Sequence, residues 1–178
     1  MAVRSMLLAL AALSSAAALR AAPSMSISVG EKFPAASLSK LGCSGQNAVV
    51  YFYGADEAPS CTKQAQGFSD SIGDFAGVKV VGVRNDAGVK DGFEGKYAQS
   101  FYVDVGDEIR NEIGIPKDLF VLGGRETYVV DASGTVVGVH NNQFDPASHV
   151  TTALAAAETI PNLNPLEQFA ASLGIELP

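Results

Sequence analysis

Ala48-Val49-Val50-Tyr51-Phe52-Tyr53-Gly54-Ala55-Asp56-Glu57-Ala58-Pro59-Ser60-Cys61-Thr62-Lys63 is the stretch on which the reading of this chain turns. Its first six residues form a short β-branched and aromatic run bounded by turn residues, the pattern of a buried strand. Pro59 and Ser60 supply a helix start. Beyond them Ala65, Phe68, Ile72 and Phe75 recur near the helical period, while Lys63, Gln64, Asp70 and Asp74 fall on other faces. The spacing therefore predicts a strand that turns into an amphipathic helix, with Cys61 in the first helical turn.

Two readings of Cys61 fit that placement. A helix N-terminus offers unpaired backbone N–H groups and a partial positive charge, which favour the thiolate, the nucleophilic form of cysteine. The plainer reading is a small buried hydrophobe, since free cysteine is among the most buried residue types. Spacing alone does not separate them.

The residues around Cys61 also resemble the active-site segment of Q-type peroxiredoxins, the bacterioferritin comigratory protein subfamily. The matching residues are Tyr51-Phe52-Tyr53, Asp56, Pro59, Cys61-Thr62-Lys63, Ala65, Phe68 and Asp70. Three further blocks agree in the same order: Ile115-Pro116-Lys117-Asp118-Leu119-Phe120, Gly124-Arg125-Glu126-Thr127-Tyr128-Val129-Val130-Asp131, and Asn141-Asn142-Gln143-Phe144-Asp145-Pro146. The similarity runs over about residues 29 to 157.

The resemblance implies that Cys61 is a peroxidatic cysteine. In that chemistry it attacks the O–O bond of hydrogen peroxide or a small organic hydroperoxide, releases water or an alcohol, and becomes a sulfenic acid. It also implies that Arg125 lies over the thiolate and the peroxide, where its permanent charge stabilises both. Ser60 and Thr62 are the expected substrate-binding neighbours. The implied partners are a hydroperoxide and thioredoxin or a similar thiol reductant. No metal or cofactor is implied.

The chain departs from the family pattern P-x-x-x-T-x-x-C at two positions, with Gly54 for the proline and Ala58 for the threonine. Alanine has no hydroxyl to offer the peroxide, so reduced activity is expected. The competing reading is a peroxiredoxin-like thiol switch or interaction module with little turnover. A third departure concerns recycling. The position of the resolving cysteine in many Q-type members is Gln66, five residues after Cys61. Only Cys43 remains. Six strand residues at about 3.3 Å each set it roughly 20 Å from Cys61, beyond the reach of a direct bond. Cys43 is therefore read as a loop or partly buried thiol, and recycling as one-cysteine, by an external thiol.

The remaining elements suggest an α/β protein with a thioredoxin-like fold, a central mixed sheet flanked by helices. Val78 to Val83 reads as a second buried strand, Gly88 to Gln99 as a weak helix, and Phe101-Tyr102-Val103 as a short strand. Asp107 to Ile113 reads as a helix closed by Pro116. Glu126 to Asp131 and Thr135 to Val139 flank Ala132-Ser133-Gly134 as a hairpin. Asp145 starts a helix over Pro146 to Thr159. One domain over residues 29–160 is expected, followed by a C-terminal helical extension over 161–178. The apolar stripe of that extension, Leu166, Phe169, Ala170 and Leu173, is expected to pack on the body.

Composition limits the function classes. The chain has 178 residues, 47% of them hydrophobic, enough for a sizeable core. A net charge of −7 argues against a nucleic-acid surface. Two cysteines and two histidines offer no zinc spacing, and His140 and His149 read as surface or helix-cap residues. Gly123-Gly124 lacks the GxGxxG context of a nucleotide site. Residues 1–28 hold Arg4 and Arg20 but no acid. The apolar stretch from Met6 to Leu19 is too short to span a bilayer and fits a signal-peptide core, and the basic, hydroxylated residues after it fit a transit peptide. Such a two-part leader predicts a plastid of an alga with secondary chloroplasts, with secretion or an endomembrane location as the alternative. A monomer or weak dimer without a membrane span is expected.

Overall fold

A computed structural model describes residues 26–117 and 123–161 and the isolated positions 166, 173 and 175. Leader residues 1–25 and most of the 161–178 extension lie outside the described residues. Five strands form one mixed sheet: β1 Ala48–Phe52, β2 Lys79–Asn85, β3 Ser100–Asp104, β4 Glu126–Val130 and β5 Val136–Asn141. Their order is β3-β2-β1-β4-β5. β1 pairs in parallel with β2, and β2 with β3, while β1 with β4 and β4 with β5 are antiparallel. The expected thioredoxin-like α/β architecture is the one observed.

The central position of β1 follows from its sequence, because all five of its residues are buried and so need cover on both faces. One face presents Val50 and Phe52, which join Tyr128 and Val130 of β4 and are covered by Leu38 of α1 (Ala35–Lys40) and by Ile109 and Ile113 of α3 (Glu108–Ile113). The other face presents Val49, Tyr51 and Val129, covered by Ala65 and Phe68 of α2 (Pro59–Asp70) and by Val150 and Ala153 of α4 (Pro146–Ala157). Tyr51 stacks on Phe68 at 4.4 Å. Its ring lies across β2 at Gly82, where a Cβ would stand 2.6 Å from the ring. The molecule is thus a three-layer sandwich of α1 and α3, the sheet, and α2 and α4.

Several expectations shift. The segment 88–99 contains no α-helix, only 3₁₀ turns at Asp86–Gly88 and Glu94–Lys96, since Gly88, Gly92 and Gly95 interrupt any helical run. α1 was not anticipated. α3 ends at Gly114 in the left-handed region, φ 74°, before Pro116 is reached. Asp145 does start α4, its carboxylate accepting from the Ala147 and Ser148 amides. Leu166 and Leu173, the described members of the C-terminal stripe, are exposed. Cys43 is fully buried, not partly, in the loop between α1 and β1. No helix among the described residues is long and apolar enough to cross a membrane.

Candidate active site

β1 delivers the chain to the edge of a cleft of about 350 Å³ lined by Gly54, Ala58, Ser60, Cys61, Gly123 and Arg125, among others. Cys61 occupies the first turn of α2 and is 4% exposed, so its sulfur is reached only through the cleft. The loop before it is pinned by the buried carboxylate of Asp56. That group accepts from the Tyr53 hydroxyl (2.7 Å) and the Lys90 amide (2.9 Å) and pairs with Arg84 Nε at 3.0 Å. The Asp56 amide donates to the Gly88 carbonyl, 2.8 Å. Burial, and then the bond to Asp56, push the Tyr53 phenol far above its usual range and keep it a donor. Glu57 adopts φ 62°, an unusual conformation for a non-glycine residue and one that clusters at functional loops.

Arg125 reaches Cys61 through the alternation of β4. Residues 125, 127 and 129 share the face that α2 and α4 cover, so a side chain one position before the strand points at the start of α2. Arg125 is 1% exposed. Its Nη2 donates to Cys61 Sγ at 3.4 Å and to Ser60 Oγ at 2.9 Å, and its Nη1 donates to the Gln64 side-chain oxygen and, at 3.5 Å, to the Ser60 carbonyl. Gln64, expected on another face of the helix, is fully buried because it holds this arginine. Its position one turn after Ser60 and Cys61 was the available signal.

Of the four residues singled out from the sequence, Cys61, Arg125 and Ser60 converge on the cleft. Thr62 is half-buried and does not line it. Gly54 leaves open space where a side chain would stand, and Ala58 presents only a methyl group. Gln66 is exposed and donates to Asp70 at 2.7 Å. Cys43 packs with Val50 and Phe52, whereas Cys61 packs with Tyr51 and Phe68, so the two thiols lie on opposite faces of the sheet. No group of three or more metal-ligating side chains occurs among the described residues.

The sequence reading also missed His149. His149 is wholly buried beneath β4 and caps nothing. Its Nε2 lies 2.8 Å from the Asn142 carbonyl, which can only accept, so Nε2 carries the proton and Nδ1 accepts from the Thr127 hydroxyl, also at 2.8 Å. Burial, with smaller contributions from the nearby charges of His140 and Arg125, pushes its pKa down to about 4. His140 is half-buried and stacks edge-on against it at 4.6 Å.

A cysteine heading the helix that follows the central strand of this sheet, with a guanidinium over its sulfur, defines a thioredoxin-like thiol protein. The chain belongs to the AhpC/TSA family, whose model matches residues 19–139. Within it the relatives are Q-type peroxiredoxins, thiol-dependent peroxidases. Chloroplastic peroxiredoxin Q of Sedum lineare is 46% identical over 130 residues, covering 70% of this chain and 69% of that protein. Its counterpart in Oryza sativa subsp. japonica is 45% identical over 132 residues, 71% of this chain but only 60% of that longer relative. Among solved structures, the bacterioferritin comigratory protein of Xanthomonas campestris, studied for alkyl peroxide reduction, is 27% identical. It matches with a TM-score of 0.61 over 74% of this chain and 98% of its own. Peroxidoxin BcpB of Mycobacterium tuberculosis shares the fold, with a TM-score of 0.63 at 23% identity over 76% of this chain and 99% of its own.

Proposed function

We propose that the chain reduces hydrogen peroxide and small organic hydroperoxides at Cys61 and is recycled by thioredoxin or a similar external thiol. The observation that carries the reading is the Arg125 guanidinium 3.4 Å from Cys61 Sγ at the wall of an open cleft. The Cys61 thiolate attacks one oxygen of the hydroperoxide, the O–O bond breaks, and the departing oxygen takes a proton and leaves as water or an alcohol. The sulfur, oxidised by two electrons, is left as a sulfenic acid. Arg125 faces both the sulfur and the oxygen on which charge develops. Ser60 orients the guanidinium through its own hydroxyl.

Recycling by an outside thiol is supported by Gln66 at the family's resolving position and by Cys43 on the opposite face of the sheet. One external thiol condenses with the sulfenic acid, releasing water, and a second reduces the mixed disulfide. The chloroplast location in the relatives' names, together with the composition of residues 1–28, supports a plastid destination. We further propose that the leader is of the two-part kind used for secondary plastids, and that residues 29–160 form the catalytic domain.

The decisive assay adds peroxide and a thioredoxin system to residues 29–178 and follows NADPH loss. Turnover that vanishes in Cys61→Ser is expected. Wild-type protein that forms sulfenic acid but oxidises no NADPH would leave the thiol-switch reading in its place, and protein that does neither would leave the interaction-module reading.

A further inference from the structure

Arg110 belongs to none of the sequence motifs, yet it is buried, 4% exposed, directly behind the cleft. Its fork joins the two segments that continue β1 and β4 just past their last ladder pair, Tyr51 with Thr127. Nη2 donates to the Tyr53 carbonyl at 2.5 Å, the last backbone group before Gly54 and the Cys61 loop. Nη1 donates to the Gly124 carbonyl at 2.6 Å, the group immediately before Arg125. The guanidinium lies 5.2 Å over the Phe52 ring, and it stands 3.7 Å from where a side chain on Gly123, a wall residue of the cleft, would begin.

The rest of α3 is arranged to hold this side chain in place. The Asp104 carboxylate accepts from the Ile109 and Arg110 amides at 2.8 and 3.0 Å, which fixes the first turn of the helix. Asp107 stands 3.5 Å from Arg110 Nε. A buried cation whose two Nη groups both point at carbonyls, rather than at a carboxylate, is costly to keep.

We propose that Arg110 is a positioning residue for the peroxide reaction: it ties the Cys61-bearing segment to the Arg125-bearing segment and so sets the 3.4 Å approach of guanidinium to sulfur. Gly54, where a side chain would meet nothing within 4 Å, leaves the Cys61 loop without a stiff residue at its root, and Tyr53, whose carbonyl Arg110 holds, is the residue just before it. A planar fork can hold two carbonyls at once, and a lysine ammonium on a flexible stem cannot hold both in a fixed plane. This inference rests on the peroxidase reading.

The experiment compares Arg110→Lys with Val136→Ala, a core truncation at the end of the β4–β5 hairpin farthest from the cleft, at temperatures set equally far below each melting midpoint. Hydrogen exchange is followed at residues 53–56 and 123–126, and Cys61 oxidation by a single dose of peroxide is timed. In Arg110→Lys, exchange in both segments should quicken about tenfold beyond that in Val136→Ala, and the peroxide rate per folded molecule should fall about tenfold or more. Exchange no faster than in Val136→Ala at either segment overturns the clamp, and so does a full peroxide rate in Arg110→Lys when the wild type reacts. If the two segments loosen as stated but even the wild type ignores peroxide, the tie stands and the peroxidase reading fails.

Discussion

Cys61 and Cys43 are both buried, at 4% and 1% exposure, yet they occupy opposite chemical settings on the two faces of one sheet. Cys61 lines a cleft at the start of a helix and receives a guanidinium hydrogen bond. Cys43 contacts apolar side chains and donates weakly to the Leu41 carbonyl at 3.5 Å. Burial pushes the Cys43 thiol up, against a smaller opposing pull from Lys79, which favours its protonated form. Burial therefore does not separate a structural cysteine from a reactive one. What separates them is a charge partner and a path for the substrate.

The largest effects should break the comparison outright. Cys61→Ser is expected to abolish both peroxide consumption and labelling by a dimedone-type sulfenic acid trap, while Cys43→Ser changes the rate less than about twofold. Adducts found mainly on Cys43 would reverse the assignment of the two faces. Arg125→Ala should come next, with a loss of about a hundredfold to a thousandfold in the second-order rate, as for removal of a preorganised donor at a developing oxyanion. Stopped-flow traces with the wild type and the variant at matched thiol concentrations measure it. A loss under about fivefold would mean that the sulfur does not depend on the guanidinium.

Ala58→Thr sharpens the comparison from the other side, because it adds to the reactive face what the family pattern has there. A hydrogen bond to a charged group is worth about 1.5–3 kcal/mol, so a gain of about tenfold in rate is expected. Ala58 is also the N-cap of α2, and its methyl group makes no capping bond. A threonine turned toward the helix would add about 1 kcal/mol of stability instead. A higher melting midpoint with an unchanged peroxide rate would thus place the new hydroxyl in the cap and out of the cleft.

The reactive face was the more legible of the two. The β1–α2 junction is local in sequence, and an apolar run followed by Pro59, Ser60 and a helical period needs no knowledge of the rest of the chain. The hairpin and Asp145 were readable for the same reason. Arg125 was not readable in that way: nothing in a Gly-Gly-Arg turn says which thiol it will meet 64 positions away, and only the resemblance to a family named it. Gln64 and Arg110 were missed because a polar residue on an amphipathic helix is assigned to solvent by default, whereas here each is buried by a long-range bond to Arg125 or to two carbonyls. The segment from 88 to 99 misled because its few apolar residues suggest a helix, while its glycines and the pull of the Asp56–Arg84 network favour tight turns. Thr62 neighbours Cys61 in sequence, but the helix turns it away from the cleft.

The smallest effect concerns His149, which supports the reactive face from beneath β4 without entering the cleft. In the fold it is neutral with a pKa near 4, and in the unfolded chain it titrates near the ordinary value of about 6.5. Between those values the unfolded state binds more protons than the folded state, so stability rises with pH across the window. The contribution is complete above about pH 6.5 and is lost as pH falls toward 4, on the order of 2 kcal/mol. Denaturant unfolding at pH 7.5 and pH 4.5 reads the total change, which includes the carboxylates. The His149 share appears as the difference from His149→Gln, whose amide can still donate to Asn142 and accept from Thr127 but does not titrate. That variant should lose a little stability at pH 7.5 and should shed about 2 kcal/mol of the drop on acidification. A drop equal to that of the wild type would mean that His149 keeps an ordinary pKa in the fold.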